Sequence, residues 1–151
     1  MSPIGRELAL SATATEIEEL AGRYGDAWNA QDVEAVVAMH APAGIFQLHA
    51  PGGAPVEGRD ALREAFAGFL AQLPDIHFEP VRLRAGADFW VLESVMSGTV
   101  AAPIEVDGRA VEAPGTRVEV DFLDVIAVEG GLLARKDSYL DTLGFQTQLG
   151  Q

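Results

Sequence analysis

The stretch RVEVDFLDVIAVEGGLLARKDSYLD, Arg117 to Asp141, decides the fold. From Val118 to Val128 every second residue, Val118, Val120, Phe122, Asp124, Ile126 and Val128, belongs to one row that is apolar but for a single carboxylate. Gly130-Gly131 predicts a hairpin turn, and Leu132 to Tyr139 returns as the partner strand. Asp124 is the anomaly. An ionised carboxylate on a buried strand face is costly, so the group is protonated, paired, or turned into a cavity. The opposite parity, Glu119, Asp121, Leu123, Val125 and Ala127, runs from polar to apolar. Its apolar half needs cover, which a homodimer packed through that face would supply.

Upstream, Ile76 to Arg84 and Asp88 to Val100 read as further strands, with an Asp107-Gly108 hairpin turn between them and Arg117. The N-terminal half is helical instead. Thr15-Glu16-Ile17-Glu18 fits a capping box, and Ile17, Leu20, Ala21, Tyr24 and Trp28 share the apolar face of a helix ending near Ala30. Asp32 caps a short second helix bearing Val33, Val36, Val37 and His40, which Pro42 stops. Ile45 to Leu48 is a strand, the Gly- and Pro-rich run 50–55 a loop, and Asp60 the cap of a third helix bearing Leu62, Ala65, Phe66, Phe69, Leu70 and Leu73, ended by Pro74. Helices segregated from hairpin-linked strands make an α+β architecture whose curved sheet wraps the helices.

The 151 residues suit a single domain over 13–151 behind a loosely held lead-in at 1–12, and the N-terminus has no signal-peptide pattern, so the expected location is cytoplasmic. There is no cysteine, which removes thiolate chemistry and disulfides. A net charge of -13 with one lysine, Lys136, argues against nucleic acid and anionic membrane as partners. His40, His49 and His77 show no ligand spacing, so no metal is expected.

Five segments carry a family resemblance when taken in order: Arg23 to Asp32, Glu57 to Leu62, Ala113 to Val118, Asp124 to Gly131, and Tyr139-Leu140-Asp141 with Gln148-Leu149-Gly150. Together the chain resembles the nuclear transport factor 2-like cones, closest to the SnoaL-like polyketide cyclases and related to ketosteroid isomerase. The resemblance implies a curved, largely antiparallel (mixed) sheet, three helices, a conical apolar pocket of cystatin-like outline, and commonly a homodimer. It places Tyr24 at the isomerase's oxyanion-hole tyrosine and Asp124 at its protonated, hydrogen-bond-donating aspartic acid. The isomerase's base falls on Leu48, or on His49 if the gap is shifted, and a histidine there would move protons near neutral pH. The places of the Asp, Arg, Asp set of the related limonene epoxide hydrolase hold Met96, Ser94 and Ser138, so that mechanism is not expected. Asp124 is also the best match to the pocket aspartate of the cyclases.

The catalytic candidates are therefore Tyr24, Asp124 and His49. Each has a plainer reading, since a tyrosine on a helix's apolar face is usually core and a strand carboxyl can be structural. Strand parity and helix faces turn Trp28, His40, Phe46, Leu48, Phe66, Trp90, Leu92, Ser94, Met96, Phe122, Ile126, Ser138 and Leu140 toward the pocket, where a flat apolar ligand would fit. Lys136 shares the parity of Ser138 but, near a strand end, is expected to snorkel to solvent. The expected function is a cofactor-free cyclase or isomerase acting on a polycyclic or polyketide carbonyl compound. A non-catalytic binder of an apolar ligand, or a dimeric structural or regulatory subunit, is the alternative.

Overall fold

In a computed structural model, which describes residues 13–151, helix α1 spans Ala14–Asn29 and α2 spans Val33–Ala38. The expected lead-in at 1–12 lies outside the described residues. Thr13, not Thr15, caps α1, its side chain accepting from the Glu16 amide at 3.1 Å. The T-x-x-E spacing occurs twice, and use of the earlier copy starts the helix two residues sooner while keeping Ile17, Leu20, Tyr24 and Trp28 buried. Asp32 caps α2 as expected, through the Ala35 amide.

Strand β1 begins earlier than its apolar run suggests, covering His40–His49. His40 is thus a strand residue rather than the last of α2, and Pro42 sits in an irregular stretch where pairing with the last long strand slips between His40 and Ile45. A two-residue strand β2, Val56–Glu57, precedes α3, Arg59–Gln72. The residue before α3 is Gly58, at φ +92°, and Asp60 lies inside the first turn paired with Arg63. Strands β3 (His77–Ala85), β4 (Phe89–Thr99), β7 (Arg117–Glu129) and β8 (Leu132–Leu140) follow the sequence reading to within a residue or so. Between β4 and β7 the hairpin β5 (Ile104–Val106) and β6 (Arg109–Val111) turns at Asp107-Gly108, both at positive φ. A fourth helix, α4 (Thr142–Gln148), closes the described chain.

The six-stranded sheet runs β2-β1-β8-β7-β4-β3, antiparallel except for the parallel β1–β8 pair. The period-two row holds: Val118, Val120, Asp124, Ile126 and Val128 are buried. Register then carries this row across the sheet. Leu92, Asp124, Ser138 and Leu48 form one line, and Trp90, Ile126, Lys136 and Phe46 the next. Asn29 anchors α1 by exchanging hydrogen bonds of 3.0 and 2.8 Å with the Phe78 backbone. Arg59 ties α3 to β1 by donating to the His40 carbonyl at 3.0 and 2.7 Å. Among the described residues no helix is long and apolar enough to cross a membrane.

Candidate functional site

A cavity of about 250 Å³ opens between the sheet, α3, the hairpin β5–β6 and α4. Of the expected lining, Trp28, Phe46, Leu48, Phe66, Met96, Phe122, Ser138 and Leu140 face it. His40, Trp90, Leu92, Ser94 and Ile126 do not reach it, because the cone narrows toward α1 and their inward side chains are packed behind its floor. Walls the strand pattern did not disclose come from Phe69, Phe78, Ile104, Val106 and Phe145. Glu105 and Asp107, both exposed, line the solvent end.

The floor is organised by Lys136, which corrects the expectation of a snorkelling lysine. It is 4% exposed, and its Nζ lies 4.8 Å from the ring centres of both Tyr24 and Trp28, with Phe66 at 5.7 and Phe46 at 5.8 Å. Nζ donates to the Tyr24 hydroxyl at 3.2 Å and faces Asp124 Oδ1 at 3.9 Å. Burial pulls this ammonium down, but the Asp124 carboxylate and the Tyr24 oxygen outweigh it, leaving Lys136 above its ordinary 10.5. A single pair at this distance supplies about 4 kcal/mol at an effective dielectric near 20, comparable with the several kcal/mol lost in desolvating a charge. Tyr24 and the aromatic faces tip the balance toward the charged form.

Asp124, 7% exposed, accepts from Ser138 Oγ at 2.5 Å and faces the ammonium on the same oxygen. That is the setting of an acceptor, unlike the donating acid implied by the isomerase comparison. Nor do Tyr24 and Asp124 converge on the cavity: neither lines it, and Lys136 and Ser138 stand between them and the open space. Burial pushes the Tyr24 phenol up, with Lys136 and then the Trp28 N–H pulling it back. Its hydroxyl meets His40 Nε2 at 2.8 Å. With Lys136 donating to the phenol, the phenolic proton goes to His40, whose imidazole is then neutral.

His49 faces the other way. Since Leu48 points inward, the period of two sends His49 to the outer face, where it meets Asp137 Oδ1 at 2.7 Å and stacks on Tyr139 with ring centres 4.2 Å apart. His49 therefore stands outside the cavity, and Leu48 takes the inward place. In the β7–β8 hairpin a one-residue slip, which counting from Gly130-Gly131 does not reveal, puts Lys136 beside Ile126 and next to Asp124.

His40 carries a pH signature. Burial, then the charges of Lys136 and Arg59, lower it from 6.5 to about 3. Between those values the unfolded chain binds a proton that the folded chain refuses, so stability falls as pH falls through this window. That lowering corresponds to roughly 4–5 kcal/mol at the lower end of the window. Urea unfolding of His40→Gln from pH 7 to 4 is expected to show a shallower loss of stability than the wild type, and parallel slopes would contradict this assignment.

Residues 21–136 match the family model of the SnoaL-like domain. A proposed SnoaL-like polyketide cyclase from Jannaschia sp. CCS1 superposes with a TM-score of 0.78 at 19% identity, over 99% of this chain and 95% of that one. A proposed polyketide cyclase from Xanthomonas campestris pv. campestris gives 0.80 at 18%, over 90% and 98%. A protein of ketosteroid isomerase-like fold from Catenulispora acidiphila, in complex with trimethylamine, gives 0.72 at 18%, over 87% and 92%. No curated protein matches. These likenesses bear on the fold, while the domain match spans most of the chain and reaches as far as Lys136 itself: the protein belongs to the SnoaL-like family of nuclear transport factor 2-like cones.

Proposed function

We propose that the protein is a cofactor-free enzyme, a cyclase or isomerase, that promotes enolisation of a flat apolar carbonyl compound. The observation that carries this reading is the charged Lys136 at the floor of a mostly apolar cavity, held by Tyr24 and Asp124. A carbonyl oxygen entering along the aromatic walls meets an ammonium in a water-poor setting, where it is most effective against developing negative charge. Ser138 and Asp124 form the acceptor side. Ser138 Oγ takes the proton from the carbon beside the carbonyl as its own proton passes to Asp124 Oδ1. The C–H electrons move into the enolate, whose oxygen faces Lys136. Cyclisation or isomerisation follows from where that enolate carbon is next attacked or reprotonated.

A binding module is the second reading, favoured by Leu48 standing where the isomerase-like base would be and by the scarcity of polar groups on the floor. Deuterium exchange beside the carbonyl of 2-tetralone in D2O, followed by proton NMR, separates the two. The wild type is expected to exceed buffer, and Lys136→Met to lower the protein-dependent rate about 100-fold. Binding without exchange above buffer would leave only the module.

The proposal includes a homodimer through the outer sheet face, where Val125 and Tyr139 are exposed large side chains. Sedimentation is expected to show a dimer that Val125→Lys converts to monomer; a monomeric wild type would refute it.

A further inference from the structure

A second hollow, of about 270 Å³, adjoins the main cavity between the end of β1, the loop 50–55, β2 and α3. Phe46, Leu48, Ala50, Pro51, Phe69 and Glu105 line both spaces, so the two run into one another along a shared wall. The walls that belong to the second hollow alone are Gly52, Gly53, Ala54, Val56 and Ala65.

Local structure explains the room left here. The loop folds back on the end of β1, the Ala50 N–H donating to the Leu48 carbonyl at 3.1 Å and the Gly53 N–H to the Ala50 carbonyl at 2.9 Å. A Cβ at Gly53 would run into the Leu48 carbonyl oxygen, so this tight return requires glycine. The loop therefore offers the hollow only short side chains, and Ala65 does the same from α3.

The two spaces differ in chemistry. The main cavity has Lys136 and Ser138 on its floor and Gln72, Thr142 and Gln146 among its walls, whereas among the described residues the second hollow is lined by one polar side chain, the exposed Glu105. Such walls gain from being covered by hydrocarbon, offer no side-chain partner to a buried hydroxyl or amide, and through Glu105 repel an anionic group. The shared wall sets where that hydrocarbon comes from. It begins at Phe46 and Leu48, the register partners of Lys136 and Ser138, and reaches Glu105 at the solvent end. A chain entering the hollow thus leaves the body of the ligand on the side away from the ammonium.

We infer that the second hollow is a subsite for an aliphatic arm carried by the ligand whose ring body fills the main cavity, so that the substrate class is a flat carbonyl compound with an uncharged alkyl chain at its outer end. The inference deepens the proposed function and rests on its placing of a ring body in the main cavity, but not on the enolisation step.

Titration calorimetry of the full chain with 2-tetralone and its 6-ethyl, 6-butyl and 6-hexyl derivatives measures the gain per methylene. The wild type is expected to bind about threefold more tightly for each methylene up to butyl, and to gain nothing from a 6-(3-carboxypropyl) arm. Ala65→Phe, which fills the hollow from α3, is expected to flatten the dependence on chain length. A second measurement needs no substitution. With ¹³C-methyl alanine labelling of the wild type, the terminal methyl of the butyl arm is expected to show nuclear Overhauser contacts to Ala54 and Ala65. Equal affinities for 2-tetralone and its butyl derivative, an undiminished chain-length dependence in folded Ala65→Phe, or a bound butyl arm without contact to Ala54 or Ala65 would overturn the subsite alone. Failure of the wild type to bind 2-tetralone or any alkyl derivative would overturn the ligand reading of the main cavity along with it.

Discussion

A positive charge buried under aromatic rings is the constraint around which this protein is built. An ammonium removed from water loses several kcal/mol of solvation, and one carboxylate at 3.9 Å only about offsets that loss. The remainder comes from elements far apart in sequence. Asp124 arrives on β7, Tyr24 and Trp28 on α1, Phe46 on β1 and Phe66 on α3, and each must be in place before Lys136 can be charged where it stands. The polar cluster thus reports on the assembly of the whole cone.

That constraint also orders the site into layers. Nearest the cavity are Lys136 and Ser138; behind them lie Asp124 and Tyr24; behind these is His40, kept neutral by burial and by the ammonium's own charge. The deeper layer sets charge and proton direction, and the layer along the cavity floor faces whatever enters. One residue in each inner pair would be enough to make a hydrogen bond, but two layers also hold Lys136 in a single orientation, which is what preorganised electrostatic stabilisation requires.

Much of this was legible in the chain. The alternating row of β7, the Gly130-Gly131 and Asp107-Gly108 turns and the amphipathic faces of α1 and α3 depend on local periodicity, and the structure follows them. The oddity of Asp124 was visible as well, as was Tyr24 on the same side of α1 as Trp28. What escaped was nonlocal. Strand β1 starts at His40 because it pairs with β8, a parallel partner about ninety positions away, and no local pattern announces that pairing. Helix α4 has too little apolar periodicity to stand out, and is held instead by Asp141 at its start and by Gln148 bonding the Glu119 backbone. Lys136 was misjudged for a related reason. Lys136 stands in the middle of β8 rather than near its end, and its meeting with the carboxylate of the neighbouring strand depends on a one-residue slip in the β7–β8 hairpin.

Lys136 is the chain's only lysine, so ¹⁵Nζ-lysine labelling yields one side-chain resonance to follow. A slowly exchanging, fully charged ammonium is expected at neutral pH, with a titration midpoint above 10.5 and a contribution to stability that is full below 10.5 and lost as pH rises through that midpoint. A midpoint at or below 10.5, or a rapidly exchanging signal typical of a solvated lysine, would contradict it.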